Sequence, residues 1–308
     1  MYIGKIKLKS NLIMAPMAGY TDAGFRRLCA EYGAGLTVTE MVSAKGLCYG
    51  NGNTNALLQT SSVERPVAVQ IFGGDAEFIA KAVRHNALQK FDIIDINMGC
   101  PVPKIFKNGE GSALMSDIAR AKKIVSMAVS NTDKPITVKF RSGVDENHKN
   151  AVEFACAIEE AGAAAITVHG RTREQFYSGR ADWTIIKAVK DAVKIPVIAN
   201  GDIVTLNDLE SVSEITNCDG FMIGRAALGR PYIFSELSKM PYIFDAKTAI
   251  LQHISDLLIY LPERTVVNLM KTHICYYAKA LSALKKVRAE VNVSSSLTEI
   301  YLILDKYF

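Results

Sequence analysis

Eight short apolar runs recur along the chain, each closed by Gly, Pro, Asn or a charged residue: Leu12–Ala18, Leu36–Met41, Val67–Phe72, Phe91–Asn97, Ile136–Phe140, Ala165–His169, Val197–Asn200 and Phe221–Gly224. Runs without polar alternation are what strands buried on both faces require. Between them stand stretches of helical period, among them Thr21–Tyr32, Ala76–Gln89, Ser116–Ser130, Ala151–Ala161 and Leu206–Ile215. Strand and helix alternating eight times predicts an α/β fold of the (β/α)8 TIM-barrel kind; an open doubly wound sheet is the alternative, which eight units fit less well. The connection from Val42 to Pro66 is rich in Asn, Gly and Ser and reads as a long functional loop.

After Gly229-Arg230-Pro231 the strand pattern stops, and from about Lys247 the chain is helical with a leucine-rich stripe. A boundary near Met240-Pro241 follows, giving a barrel domain over residues 1–240 and a small C-terminal helical domain over 241–308.

A chain of 308 residues with 49% hydrophobic content can bury a large core, and a net charge of +5 permits a polyanionic partner without demanding one. Six cysteines stand without a CxxC pair or a Cys/His spacing suited to zinc, so no disulfide framework and no metal are expected, and reduced thiols imply a cytoplasmic protein. Lys5, Lys7 and Lys9 precede an apolar run that is too short for a signal peptide and is broken by Pro16; no membrane association is expected, and the chain is expected to be monomeric.

The chemistry concentrates on Asp95-Ile96-Asn97-Met98-Gly99-Cys100-Pro101, where a buried strand gives way to a turn forced by Gly99 and Pro101. Cys100 then stands at a strand's C-terminal end, the face on which barrels build their sites. A thiol of ordinary pKa, about 8.5, is mostly protonated at neutral pH and can act as general acid; beside a cation it could instead be a thiolate nucleophile. A Cys/His hydrolase with His169 is a further option, although His169-Gly170-Arg171-Thr172-Arg173 reads more as an anion-binding edge.

The other strand ends supply Pro16-Met17-Ala18, Glu40-Met41, Gln70, Asn97, Lys139, Arg141, His169, Arg171, Asn200-Gly201-Asp202 and Gly224-Arg225, a polar and partly cationic ring. Strands seven and eight commonly hold a phosphate, and Gly201 and Gly224 would let the backbone approach one, with Arg225 adding charge. The Gln70 amide and Lys139 ammonium suit the N3/O4 and N1/O2 edges of a flavin; a sugar phosphate, or a Schiff-base role for Lys139, suits the same residues. From Arg264 to Arg288 six basic residues occur with no Asp or Glu between them and with Tyr276 and Tyr277 interleaved, a face that could contact a nucleic-acid backbone if it is one helical surface.

Nine segments in order carry a family resemblance: APMAGYTDAGFR from Ala15, TEMVSA from Thr39, VQIFGGD from Val69, DINMGCPVPKI from Asp95, GEGSALM from Gly109, VKFRSGVD from Val138, HGRTREQFYSGRADW from His169, VIANGDI from Val197 and GFMIGRAALGRPYIF from Gly220. The sequence resembles the tRNA-dihydrouridine synthases, most of all the bacterial B-type subgroup. The resemblance implies an FMN-holding (β/α)8 barrel with a helical tRNA-binding bundle, and reduction of the C5–C6 bond of tRNA uridines with NADPH reloading the flavin. It implies Cys100 as catalytic proton donor; Pro16, Met17, Ala18, Gln70, Lys139, Asn200, Gly201, Asp202, Gly224 and Arg225 around FMN, with His169 nearby; and Asn97, Arg141 and Arg171 toward uracil or its phosphate. The competing readings are a flavin barrel acting on a small pyrimidine, a non-redox phosphate-binding barrel, and a noncatalytic RNA-binding protein.

Overall fold

A computed structural model describes residues 1–50 and 54–308. Eight parallel strands close on themselves: β1 (Leu12–Met14), β2 (Leu36–Val38), β3 (Val67–Phe72), β4 (Ile93–Met98), β5 (Ile136–Arg141), β6 (Ala165–His169), β7 (Val197–Asn200) and β8 (Gly220–Ile223). Each pairs with the next, and β8 pairs back to β1 through Met222 and Ile13, which completes a TIM barrel. The apolar runs thus foretold the eight barrel strands in order, with β1 stopping short of Pro16, whose missing N–H cannot continue a ladder.

Helices cover the barrel: α1 (Ala23–Glu31), α2 (Ala76–Val83), α3 (Ile118–Val129), α4 (Ala151–Glu160), α5 (Trp183–Ala192), α6 (Leu206–Thr216) and the short α7 (Ile233–Leu237). Five of these starts are marked by side-chain caps: Asp22, Asp75, Asp117 and Asp182 each accept a first-turn N–H, and Thr205 with Asp208 forms a capping box at α6. Between β2 and β3 the expected loop is partly built, from a strand over Val42–Ser43 and helices over Ala44–Cys48 and Thr54–Leu57; residues 51–53 of that loop fall outside the described residues.

Inside the barrel, Ile13, Ala68, Ile93, Ala165, Ile198 and Met222 cluster with Ile3 and Leu8 of an N-terminal hairpin that plugs the far end. A period of two along each strand then lifts the polar residues Gln70, Asp95, Asn97, Thr137, Lys139, His169 and Asn200 above this plug, toward the C-terminal mouth. Beyond Met240 come α8 (Ala246–Leu258), α9 (Glu263–Tyr277), α10 (Leu284–Val293) and α11 (Leu297–Tyr307), which share a separate apolar cluster with Leu28 of α1. The basic stretch is therefore not one helical surface: a 3₁₀ turn over Ala278–Ala280 and a bend divide it between α9 and α10. Tyr277 is buried in the helical core rather than interleaved with the exposed cations. Among the described residues no helix is long and apolar enough to cross a membrane.

Candidate active site

A hydrogen-bonded relay runs across the mouth floor. Thr137 Oγ1 donates to Asp95, Gln70 Nε2 donates to the other Asp95 oxygen at 2.7 Å, and Asn97 Nδ2 donates to Gln70 Oε1 at 2.9 Å. Asn97 Oδ1 accepts from the backbone N–H groups of Gly99 (3.1 Å) and Cys100 (2.9 Å), which fixes the turn presenting the thiol. These bonds also settle which end of each amide is oxygen, since both Asn97 Oδ1 partners are donors. Arg141 holds the same turn from β5, donating to the Gly99 carbonyl at 2.9 Å.

Gly99 is needed for that packing: a Cβ there would stand 3.1 Å from the Phe140 backbone. Ser112 donates to the Cys100 carbonyl at 2.8 Å, and Cys100 itself is buried. Burial raises its thiol pKa, against the lowering effects of the Val102 backbone N–H, Arg141 and Lys139. A raised pKa keeps the thiol protonated at neutral pH, the state a general acid requires.

Lys139 reaches across β6 to donate to Asn200 Oδ1 at 3.0 Å, and Asn200 Nδ2 donates to the Met222 carbonyl at 2.8 Å. Burial, with Arg141 nearby, brings the Lys139 ammonium down to about 8, while Asp95 and Cys100 oppose this. The imidazole of His169 is held well below its ordinary value by burial and by the cations Lys139, Arg141, Arg171 and Arg225, so it is neutral at pH 7. A neutral, buried imidazole that makes no hydrogen bond to Cys100 gives no Cys/His pair in this arrangement.

Above these residues the chain after β6 folds back over the mouth. Arg171, almost wholly buried, donates to the carbonyls of Ser178 (3.0 Å) and Gly179 (2.7 Å) and pairs with Asp202 at 2.8 Å. Asp202 also accepts the Ala181 N–H at 2.7 Å, and Trp183 Nε1 donates to the Gly201 carbonyl at 3.0 Å. Gly201 (φ +123°) and Asp202 (φ +58°) are left-handed, and a Cβ at Gly201 would stand 2.6 Å from that of Ala181. Gly224 has no such constraint: a Cβ there would make ordinary van der Waals contact with Ala15 and Met17 at 3.6 and 3.7 Å.

A sequence model described as dihydrouridine synthase matches residues 13–306. The chain belongs to the dihydrouridine synthase family. It is 40% identical over 299 residues to a tRNA-dihydrouridine synthase B of Pseudomonas putida, covering 94% of this chain and 89% of that one. To the enzyme of that name from Shewanella oneidensis it is 38% identical over 317 residues, covering 100% and 98%. Two solved structures share the fold: a variant of NCR from Zymomonas mobilis (TM-score 0.58, 17% identity, 80% of this chain and 92% of that one) and a 2-naphthoyl-CoA reductase complex (TM-score 0.62, 11% identity, 78% and 51%).

As a family member the chain is an oxidoreductase. Its mouth gathers Cys100, Asn97, Gln70, Lys139, Arg141, His169, Asn200, Gly201 and Asp202, with Pro16, Met17 and Ala18 following β1 and Gly224 and Arg225 following β8. Three residues expected toward the substrate also make contacts within the chain. Asn97 holds the Cys100 turn through Oδ1 and keeps one Nδ2 hydrogen beyond its bond to Gln70; Arg171 is buried in the β6 loop, its guanidinium engaged by that loop and Asp202. Arg141 is likewise buried, its Nε and Nη1 donating to the Gly99, Thr172 and Phe176 carbonyls while its Nη2 has no acceptor among the described residues. Sequence reasoning missed Tyr177, an exposed ring beneath the Arg225 guanidinium at 4.7 Å and 5.9 Å from that of Arg141. It lay inside the HGRTREQFYSGRADW segment, but only the fold-back of the loop brings it to the mouth.

Proposed function

We propose that this member of the family reduces the C5–C6 double bond of selected uridines in tRNA to 5,6-dihydrouridine, using FMN in the barrel mouth and NADPH to reload it. The observation that carries the reading is the Cys100 turn, a buried thiol kept protonated on a loop braced by Asn97 and Arg141.

The residues present fit a flavin. Lys139 forms no ion pair among the described residues, and its ammonium has one hydrogen-bond partner, Asn200; a negative N1/O2 edge would answer it. Gln70 keeps one N–H and one lone pair for an N3/O4 edge. Gly224 follows β8 beside Met17, and the half-exposed Arg225 with the left-handed Gly201-Asp202 turn suits a phosphate. His169, neutral and buried, adds no competing charge.

Bound FMN would supply the hydride received by uracil C6. The Cys100 Sγ–H gives its proton to C5, and the resulting thiolate is reprotonated from solvent; the nearby cations Arg141 and Lys139 ease its formation. Tyr177 and Arg225 offer a rim on which an extruded base and its phosphate can rest. Residues 241–308 act as a tRNA-binding domain, in which exposed Arg264, Lys279, Lys285, Lys286 and Arg288 meet the RNA backbone.

A single-turnover experiment tests this: the bound flavin is reduced without oxygen, unmodified tRNA or free uridine is added, and flavin reoxidation and dihydrouridine are followed. Reoxidation by tRNA alone with dihydrouridine formed is expected. Reoxidation by free uridine would give a small-molecule reductase, and a protein that binds no flavin would overturn the proposal.

A further inference from the structure

We propose that Asp22, His253 and His273 form a divalent metal site, of zinc type by its donors, that clamps the C-terminal helices to the barrel. The three residues come from different elements: Asp22 caps α1, His253 lies on α8 and His273 on α9. Their ligand atoms all lie within 4.8 Å of one another. Both imidazoles are completely buried, and the Asp22 side chain is nearly so.

Hydrogen bonding leaves this group incomplete. Asp22 Oδ1 accepts from the Phe25 N–H at 3.0 Å and contacts His253 Nε2 at 2.8 Å. Asp22 Oδ2 and His273 Nε2 have no hydrogen-bond partner, yet face each other 3.3 Å apart. Buried polar atoms left in that state are rare and call for a missing partner. A tetrahedral zinc ion with bonds of about 2.0–2.1 Å holds its ligand atoms roughly 3.3 Å apart, which is the separation of this orphaned pair. His253 Nε2 meets the other Asp22 oxygen, Oδ1, so an ion between the two imidazoles would be held by both carboxylate oxygens or by a small turn of the carboxylate. Neither Nδ1 has a protein partner; the Asp22 contact sets the His253 tautomer, and no hydrogen bond sets that of His273.

With three protein ligands the ion would need a fourth, which a water molecule would supply, and the surroundings are otherwise aromatic. Phe25 lies with its ring centroid 5.1 Å from that of His273 and 6.1 Å from that of His253, and Tyr20 stands edge-on to His273. The His253 ring packs on Gly24, where a Cβ would come within 2.5 Å of it. No metal motif was visible in the sequence because one ligand stands more than two hundred residues from the other two. The clamp also reaches the mouth: Thr21, next to Asp22, accepts the Met17 N–H at 2.9 Å, so the ion would steady the loop carrying Pro16, Met17 and Ala18 together with α8 and α9.

Metal analysis by plasma mass spectrometry of the full-length protein, purified without chelator, is expected to find about one zinc ion per chain, with His273→Gln and Asp22→Asn largely losing it. Chelator-stripped wild-type protein should melt at a lower temperature, recover with added Zn²⁺, and take up Co²⁺ with the intense visible bands of a four-coordinate ion. These readings are independent of uridine reduction. Stripped wild-type protein that takes up neither Zn²⁺ nor Co²⁺, or metal content unchanged in both variants, would overturn the proposal and leave a hydrogen-bonded triad.

Discussion

The side chain of Asn97 and the backbone of Cys100 are joined: Oδ1 accepts the Cys100 N–H at 2.9 Å and the neighbouring Gly99 N–H at 3.1 Å. The thiol's position is thus set by a residue three places earlier on β4. Asn97→Ala frees two buried N–H groups and the turn with them. The rate of flavin reoxidation by tRNA at saturation should fall roughly 10- to 100-fold with flavin content retained. An unchanged saturated rate with weaker tRNA binding would instead return Asn97 to uracil recognition.

Cys100→Ala removes the acid and little else, because Cys100 is held through its backbone N–H and carbonyl. Flavin and tRNA binding should persist while single-turnover reduction drops roughly 10²- to 10⁴-fold, the usual worth of a positioned acid. Wild-type turnover in this variant would remove the proton-donor role.

How much of this was legible in the sequence differs between fold and site. The strands could be read because a strand buried on both faces must be continuously apolar, and Val67–Phe72, Ala165–His169 and Val197–Asn200 were legible to the residue. The relay from Thr137 through Asp95 and Gln70 to Asn97 could not, since its members stand on three strands and only barrel closure and strand parity bring them together. The break after Tyr277 was hidden for a different reason. No Gly or Pro stands between Tyr277 and Leu284, so a helical pattern ran on in the sequence where the chain turns in space.

Lys139 gives a pH signature. Its pKa of about 8 in the fold lies below the roughly 10.4 of a free lysine, so between those values the unfolded chain holds more protons. Stability of the flavin-free protein should therefore rise as pH climbs from about 8 to about 10, and the cost of the charged ammonium is fully present below 8. Lys139→Met should remove that rise, stabilise the flavin-free protein at pH 7 by roughly 1–3 kcal/mol and weaken flavin binding. Urea unfolding at several pH values, with flavin absorbance read separately, checks all three; a flat difference between wild type and variant across pH would refute the assignment.

Arg26 and Glu64 form a buried pair at 3.1 Å, which Thr21 and Gln59 carbonyls and Thr37 complete. Removing one partner strands the other charge in the core. Glu64→Ala should cost about 3–5 kcal/mol, measured by denaturant unfolding, whereas breaking an exposed pair such as Lys122 with Glu160 should leave the unfolding curve essentially where it was.

The last prediction separates the two ends of the basic stretch. Arg264 lies at the start of α9 and Lys285, Lys286 and Arg288 on α10, all exposed, with the turn after Tyr277 between them. An RNA backbone lying across both helices would meet both groups; one lying on α10 alone would spare Arg264. Removing a single cation that touches a phosphate should lower the slope of log affinity against log salt by about 1. Replacing Lys285 and Lys286 together by Ala should therefore weaken tRNA binding and flatten that slope by up to about two, with free flavin binding unchanged. Arg264→Ala then reads which geometry holds: a further drop of about one places both helices on the backbone, and no change confines the RNA to α10. An unaltered slope in all three positions would show the stretch to be an ordinary solvated surface and move tRNA binding to the mouth rim around Tyr177 and Arg225.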